Sequence, residues 1–230
     1  MNLLAFDTAT WGCSAACLAD GRVLAHASAE LPRGQSEALM PMIADVMRDA
    51  ALDYPDLDAI AVTNGPGAFT GLRIGLAAAR GLALALGLPV IGVTTLEAVA
   101  HAVPGAERDG RRILVALDSK RADVYAQVFG PELAPVTDPA ALAEDALAAV
   151  VVIGPVLVGG DAAPRAAAAL QAVGIAVEQS TAPGVPNAAV VGRIAAARPL
   201  PPVGVDHVPH PIYLRPPDAK IPLRCGRLRP

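Results

Sequence analysis

Residues 1–27 read MNLLAFDTATWGCSAACLADGRVLAHA. Residues 3–6 form a short apolar run ending at Asp7, residues 14–18 form a second, and Asp20-Gly21 signals a hairpin into 23–27. Three strands joined by tight connections predict an antiparallel meander. A helix follows: Leu39, Met42, Ile43, Val46, Met47 and Ala50 recur at helical spacing opposite Asp45, Arg48 and Asp49, with Ser36 as the expected N-cap and Pro41 restricting the first turn. Residues 57–63 read as a buried strand, and the loop 64–69 leads to a second helix, capped by Thr70 and running to about Leu86. Gly87-Leu88-Pro89 ends that helix, 90–93 is a strand, and Thr94 or Thr95 opens a short helix through His101.

This β-β-β-α-β-α-β-α order is the ribonuclease-H-like pattern shared by sugar kinases, actin and heat-shock chaperones. The polar run from Pro104-Gly105 to Gly110-Arg111 reads as a boundary, and a degraded second copy follows it. There, 113–117 and 124–129 are expected strands, 139–149 an Ala-rich helix, 150–158 a strand, and 162–173 and 187–197 helices. The expected organisation is an α/β, two-lobed, actin-like fold of the ASKHA superfamily. A first lobe spans 1–103, a reduced second lobe spans 110–215, and a Pro-rich tail spans 216–230.

Composition narrows the function. The 230 residues are 53% hydrophobic and 17% charged with mean hydropathy +0.45, which excludes intrinsic disorder for most of the chain. Only 3% is aromatic, so the core is expected to be small aliphatic layers. A net charge of −4 argues against a protein that grips nucleic acid over a broad basic face. Cys13, Cys17 and Cys225 imply no disulfide scaffold and fit a reduced compartment. The opening lacks the basic region of a signal peptide, and the uncharged stretches 81–93 and 147–160 are too short to span a bilayer. A cytoplasmic location is expected.

Three segments could carry chemistry. In Asp7-Thr8-Ala9-Thr10, backbone amides and hydroxyls could face a phosphate while the carboxylate holds water or Mg²⁺; an Asx turn is the simpler use of the same residues. In residues 65–73, GPGAFTGLR, Gly65, Gly67, Thr70, Gly71 and Arg73 sit between strand and helix. The stretch is neither a Walker loop nor GxGxxG, and spacing leaves open whether its glycines cradle an anion or let another segment approach. In 118–125, Asp118 again follows a strand and could mirror Asp7 across a cleft. Asp7, Thr8, Thr10, Gly65, Gly67, Thr70, Gly71, Arg73 and Asp118 are therefore the candidate vestigial nucleotide or phosphate site. No metal site is expected, because Pro209 and Pro211 spoil the geometry of His207-x-x-His210. No nucleophile elbow appears, so no catalytic residue is assigned.

The segments LAFDTAT (4–10), SEALMPMI (36–43), GPGAFTGLRIG (65–75) and RGLALALGLPVIGVTTLEA (80–98), with Pro211-Ile212-Tyr213-Leu214-Arg215, closely resemble the bacterial TsaB (YeaZ) family. These are tRNA threonylcarbamoyladenosine biosynthesis proteins once labelled glycoprotease-like. The match is dense over 1–103 and thin beyond, with DSKRADVY as an island. The resemblance implies a non-catalytic partner of the paralogue TsaD, which binds metal through a His-x-x-x-His pair. The corresponding helix here, Thr94 to His101, carries no such pair. It also implies a TsaE-type ATPase as a further partner, contact with tRNA through the complex, and no required cofactor beyond weak ATP or ADP binding. Gln35 stands where the family often has His.

The residues themselves allow the same role. Helices at 36–51 and 71–86 could pair with two helices of a similar chain as a four-helix bundle, or of a second copy when the partner is missing. The expected interface is Leu39, Met42, Ile43, Val46, Met47, Leu72, Gly75, Ala78, Ala79 and Leu82, although both faces could instead be buried within the chain. The alternative is an ATP-handling enzyme built on Asp7, the Gly-rich loop and Asp118, with Gly159-Gly160-Asp161 as an adenosine turn. A protease has neither a metal pair nor a triad to support it.

Overall fold

The computed structural model describes residues 1–151 and 154–215 of the 230. β1 (Asn2–Asp7), β2 (Gly12–Ala19) and β3 (Arg22–Glu30) form the expected meander, and Asp20 and Gly21 both take positive φ, 50° and 76°, as a two-residue hairpin turn requires. After α1 (Gln35–Asp49), β4 (Ala59–Thr63) pairs parallel to β1. After α2 (Phe69–Leu86), β5 (Val90–Val93) pairs parallel to β4, so the first sheet runs β3-β2-β1-β4-β5. α3 (Thr95–Ala102) and the short α4 (Gly105–Arg108) lead onward, and the Thr94 hydroxyl caps α3 by accepting from the Glu97 amide.

β1 shows how period-two alternation builds two layers. Leu4 and Phe6 face α1 and α2, burying against Leu39, Ile43, Val46, Met47, Leu76 and Ala79. Leu3 and Ala5 face the opposite side. Cys13 and Cys17 are buried free thiols, used as small apolar residues, and burial pushes both up to about 11. α2 is, by length and composition, long and apolar enough to cross a membrane, yet Leu76, Ala79 and Ala83 pack it on the first sheet.

The second sheet repeats the first. β6 (Arg112–Asp118), β7 (Asp123–Phe129) and β8 (Ala140–Ala143) are an antiparallel meander. Following α5 (Leu147–Val150), β9 (Val156–Gly159) pairs parallel to β6; following α6 (Ala163–Ala172), β10 (Val177–Gln179) pairs parallel to β9. The order β10-β9-β6-β7-β8 is that of the first sheet in reverse listing. α5, with 4 residues where α1 has 15, is the reduced part. α3 sits between the sheets: Ala98 joins the core of the first while Leu96, Val99 and Ala100 pack on Ile113, Val115 and Leu117 of the second.

Several elements differ from expectation. Residues 139–149 are not one helix, because Ala140–Ala143 pairs with β7 and edge pairing overrides the helical preference of alanine. The strand expected over 150–158 begins at Val156, and residues 152–153 of it lie outside the described residues. Gly34 and Ala68, not Ser36 and Thr70, precede α1 and α2. α7 (Ala188–Ala196), grouped by sequence with the second half, packs on the first sheet, burying Ala188, Val191, Ile194 and Ala195 against Leu3, Ala5 and Leu18. Gly192 permits this, since a Cβ there would lie 2.2 Å from a Leu18 methyl. The tail 216–230, with Cys225, lies outside the described residues.

Candidate functional site

The two halves meet at the ends of β1 and β6, where each strand terminates in an aspartate. The Asp7 carboxylate is fully buried; its Oδ1 accepts from the Ala9 amide at 3.0 Å and from the Thr63 hydroxyl at 2.5 Å. The first of these bonds is an Asx turn. Oδ2 has no hydrogen-bond partner among the described residues, and burial raises the Asp7 pKa to about 6 against the opposing hydrogen bonds. Asp118 repeats the turn in the second half: its Oδ1 accepts from the Lys120 amide at 2.8 Å and its Oδ2 from Lys120 Nζ at 2.9 Å. Partial burial works against ionisation of Asp118, but the Lys120 hydrogen bonds and the charges of Lys120 and Arg165 outweigh it and hold the carboxyl below its usual range. The Asp118 amide donates to Asp161 Oδ1 at 2.7 Å, and burial raises Asp161 even though the Trp11 side chain hydrogen-bonds to it across the cleft.

The Gly-rich loop is occupied with packing. A Cβ on Gly71 would lie 2.0 Å from the Thr8 carbonyl oxygen, and one on Gly67 would lie 2.3 Å from that of Ala9. One on Gly75 would lie 2.7 Å from the Thr8 hydroxyl, which itself donates to the Gly71 carbonyl at 2.7 Å. The glycines thus let the start of α2 lie directly on the backbone of the β1–β2 turn. Gly160 does the same in the second half, where a Cβ would lie 2.0 Å from Ala116 O. Gln35 ties α1 to this turn by donating to the carbonyls of Leu31 (2.7 Å) and Thr10 (3.4 Å).

The nine candidate residues therefore divide. Thr10, Gly67, Thr70, Gly71 and Asp118 line one cleft cavity of about 320 Å³ together with Trp11, Arg33, Gln35, Lys120 and Asp161. Asp7, Thr8 and Gly65 lie behind it and contribute no wall. Arg73 joins Gly67 and Thr70 in a second, larger cavity of about 760 Å³, walled by Ser119, Lys120, Arg121 and Tyr125 and by residues 212–215. Among the described residues no three His, Cys, Asp or Glu side chains gather as a metal-ligand set. His207 and His210 are exposed, and the His210 carbonyl accepts from Asn64 Nδ2 at 3.2 Å.

Most of the expected interface faces inward. Leu39, Ile43, Val46, Met47, Leu72, Gly75 and Ala79 are buried within the chain, because the apolar stripe of each helix serves its own sheet. Met42, Ala78 and Leu82 are half-buried at the edge of that core. The outward side holds Met40 and Ala44 on α1, with Ala77, Gly81, Leu84 and Ala85 on α2; Leu84 is 76% exposed and Met40 44%. Helical spacing shows that a stripe exists, but on α2, which is apolar on both sides, it does not reveal which side meets the sheet.

Residues 208–215 form a strap that sequence did not place. Val208 is buried in the first core, the Ile212 amide donates to Asn64 O at 2.7 Å, and Arg215 pairs with Asp123 on β7. Tyr213 stacks on Phe69 with ring centroids 5.5 Å apart and accepts from Arg73 Nε at 3.4 Å.

Two repeated β-meander halves facing each other across an aspartate-lined cleft define an α/β protein of the actin-like, ASKHA class. Comparison with known proteins narrows the class. The family model for TsaD, tRNA N6-adenosine threonylcarbamoyltransferase, matches residues 29–153, more than half of the chain. The chain is 42% identical over 127 residues to the Escherichia coli tRNA threonylcarbamoyladenosine biosynthesis protein TsaB. That match covers 54% of this chain and 53% of the relative, so the chain spans about half the length of the curated relatives it matches. Among solved structures, YeaZ from Pseudomonas aeruginosa superposes with a TM-score of 0.68 at 29% identity, covering 84% of this chain and 90% of that one. Component A of (R)-2-hydroxyglutaryl-CoA dehydratase from Acidaminococcus fermentans shares the fold alone, with a TM-score of 0.51 at 13% identity over 85% of this chain and 98% of that one. The chain belongs to the TsaB (YeaZ) family.

Proposed function

We propose that this chain is a non-catalytic subunit in threonylcarbamoylation of the adenosine beside the anticodon of tRNA. It pairs with a TsaD-type catalytic subunit and helps recruit a TsaE-type ATPase, and it requires no cofactor of its own. The relatives named for this pathway support the process. The observation that carries the pairing role is the outward side of α1 and α2, where Leu84 and Met40 stand exposed among Ala44, Ala77, Gly81 and Ala85. Small residues allow another pair of helices to approach closely, and methionine adapts to irregular partners. When the partner is missing, the same side can pair two copies of this chain.

The test is Leu84→Arg mixed with the TsaD-type subunit of the same organism and run by size-exclusion chromatography with light scattering. Because Leu84 is exposed, the variant is expected to melt within about 2 °C of the parent while the heterodimer is lost. A heterodimer of unchanged stability would remove this side from the interface.

A further inference from the structure

We propose that the larger cleft cavity, between the start of α2 and the turn after β6, binds a single-stranded segment of RNA directly. Among the described residues its walls carry four cations, Arg73, Lys120, Arg121 and Arg215, and no carboxylate, in a chain whose net charge is −4. Lys120 pairs with Asp118 and Arg215 with Asp123. Arg73 has no carboxylate partner among the described residues; its guanidinium lies 3.8 Å from the Phe69 ring centroid. The N-terminal end of α2 adds positive potential, since no side chain caps it and no acid stands in its first turn.

The second feature is aromatic. The chain has seven aromatic residues (three Phe, three Tyr and one Trp), and Phe69, Tyr125 and Tyr213 all line this cavity. Phe69 is 54% exposed and Tyr213 45%; the two rings meet at a 30° tilt, with the Arg73 guanidinium over the Phe69 ring. Cations that take phosphodiesters, interleaved with rings on which unpaired bases stack, are how proteins hold single-stranded RNA. A purely acidic protein partner would use the cations and leave the rings idle.

The inference sharpens the tRNA-modification reading and rests on it for the identity of the RNA. The probe is a short fluorescein-labelled oligoadenylate titrated with the full chain by anisotropy, across a range of salt. The parent is expected to bind with strong salt dependence. Arg73→Ala should weaken binding about tenfold and lower the salt slope by about 0.7, the share of one phosphate on a single strand. Phe69→Ala should weaken it about fivefold or more while leaving the slope unchanged. Arg48→Ala, an exposed cation on α1, should change neither.

Absence of binding, or binding that neither Arg73→Ala nor Phe69→Ala alters, overturns the site. Displacement of the probe by ATP as effectively as by unlabelled oligoadenylate would make the cavity a mononucleotide site. Displacement by polyglutamate, insensitive to Phe69→Ala, would make it an acidic-protein surface. Either also overturns the inference. The tRNA-modification assay separates the two readings. If modification requires the chain but the variants bind RNA normally, only this site fails. If modification does not require the chain but Arg73→Ala weakens RNA binding, the pathway reading fails and the site stands.

Discussion

Asp7 shows how a single buried carboxyl sets a pH dependence. Its pKa in the folded protein is about 6, above the ordinary value of 3.8, so the fold favours the protonated form. Stability from this residue is therefore fully present below about pH 4, falls as pH rises toward 6, and is flat above. The difference of about 2 units corresponds to a loss of about 3 kcal/mol. Asn keeps the acceptor for Ala9 and Thr63 and cannot ionise. Urea unfolding of the parent and of Asp7→Asn at pH 4 and pH 7 should thus show the parent losing about 2 kcal/mol of that relative to the variant, because the unfolded carboxyl is already partly ionised at pH 4; parallel pH profiles would contradict the burial argument. Gly71 gives a second residue-scale outcome. Gly71→Ala places a methyl 2.0 Å from the Thr8 carbonyl and should cost about 2 kcal/mol or more, read as a lowered urea midpoint. Both aspartates were legible as strand-end turn residues, since an acid after an apolar run offers an Asx turn. That the glycines answer to the backbone of Thr8 and Ala9 was not legible, because it depends on a contact between segments about sixty residues apart.

At the scale of elements, the first half read well because its hydrophobic periods agree with its turn chemistry: the Asp20-Gly21 hairpin and the Thr94 cap are local devices. The helices α1 and α2 are legible as helices, but whether their apolar stripes meet a partner or the chain's own sheet is not, and the structure buries most of both against the sheet. Residues 140–143 failed for a different reason, since alanine suits either state and the edge of β7 settles it. The placement of α7 is likewise tertiary. Arg198, just beyond it, donates to both carboxylate oxygens of Glu97 on α3 at 2.6 Å and to Gly92 O. The pair is partly buried, so Arg198→Ala should lower stability by about 1–2 kcal/mol without altering oligomeric state. An unchanged melting temperature would show that α7 is held by its apolar face alone.

On the scale of the whole molecule, duplication organises everything. Each half is a meander followed by parallel strands, each first strand ends in an aspartate that forms the same turn, and each needs a glycine to pass the neighbouring backbone. The halves have diverged where they differ in covering helix, the first retaining α1 and the second only α5. Sequence showed that divergence as weaker periodicity after residue 110, and the strap of 208–215 across the cleft as an isolated motif without a place. Charge was legible only as a sum, which concealed a basic cavity within an acidic chain.

The central claim is that this chain is a required, non-catalytic subunit of tRNA threonylcarbamoylation. Its most direct test is an omission assay, in which unmodified tRNA is incubated with threonine, bicarbonate, ATP, the enzyme that makes threonylcarbamoyl-adenylate, and TsaD-type and TsaE-type proteins, with and without this chain. Modified adenosine is expected only when the chain is present, restored by the parent and not by Leu84→Arg. Equal modification in its absence would contradict the account.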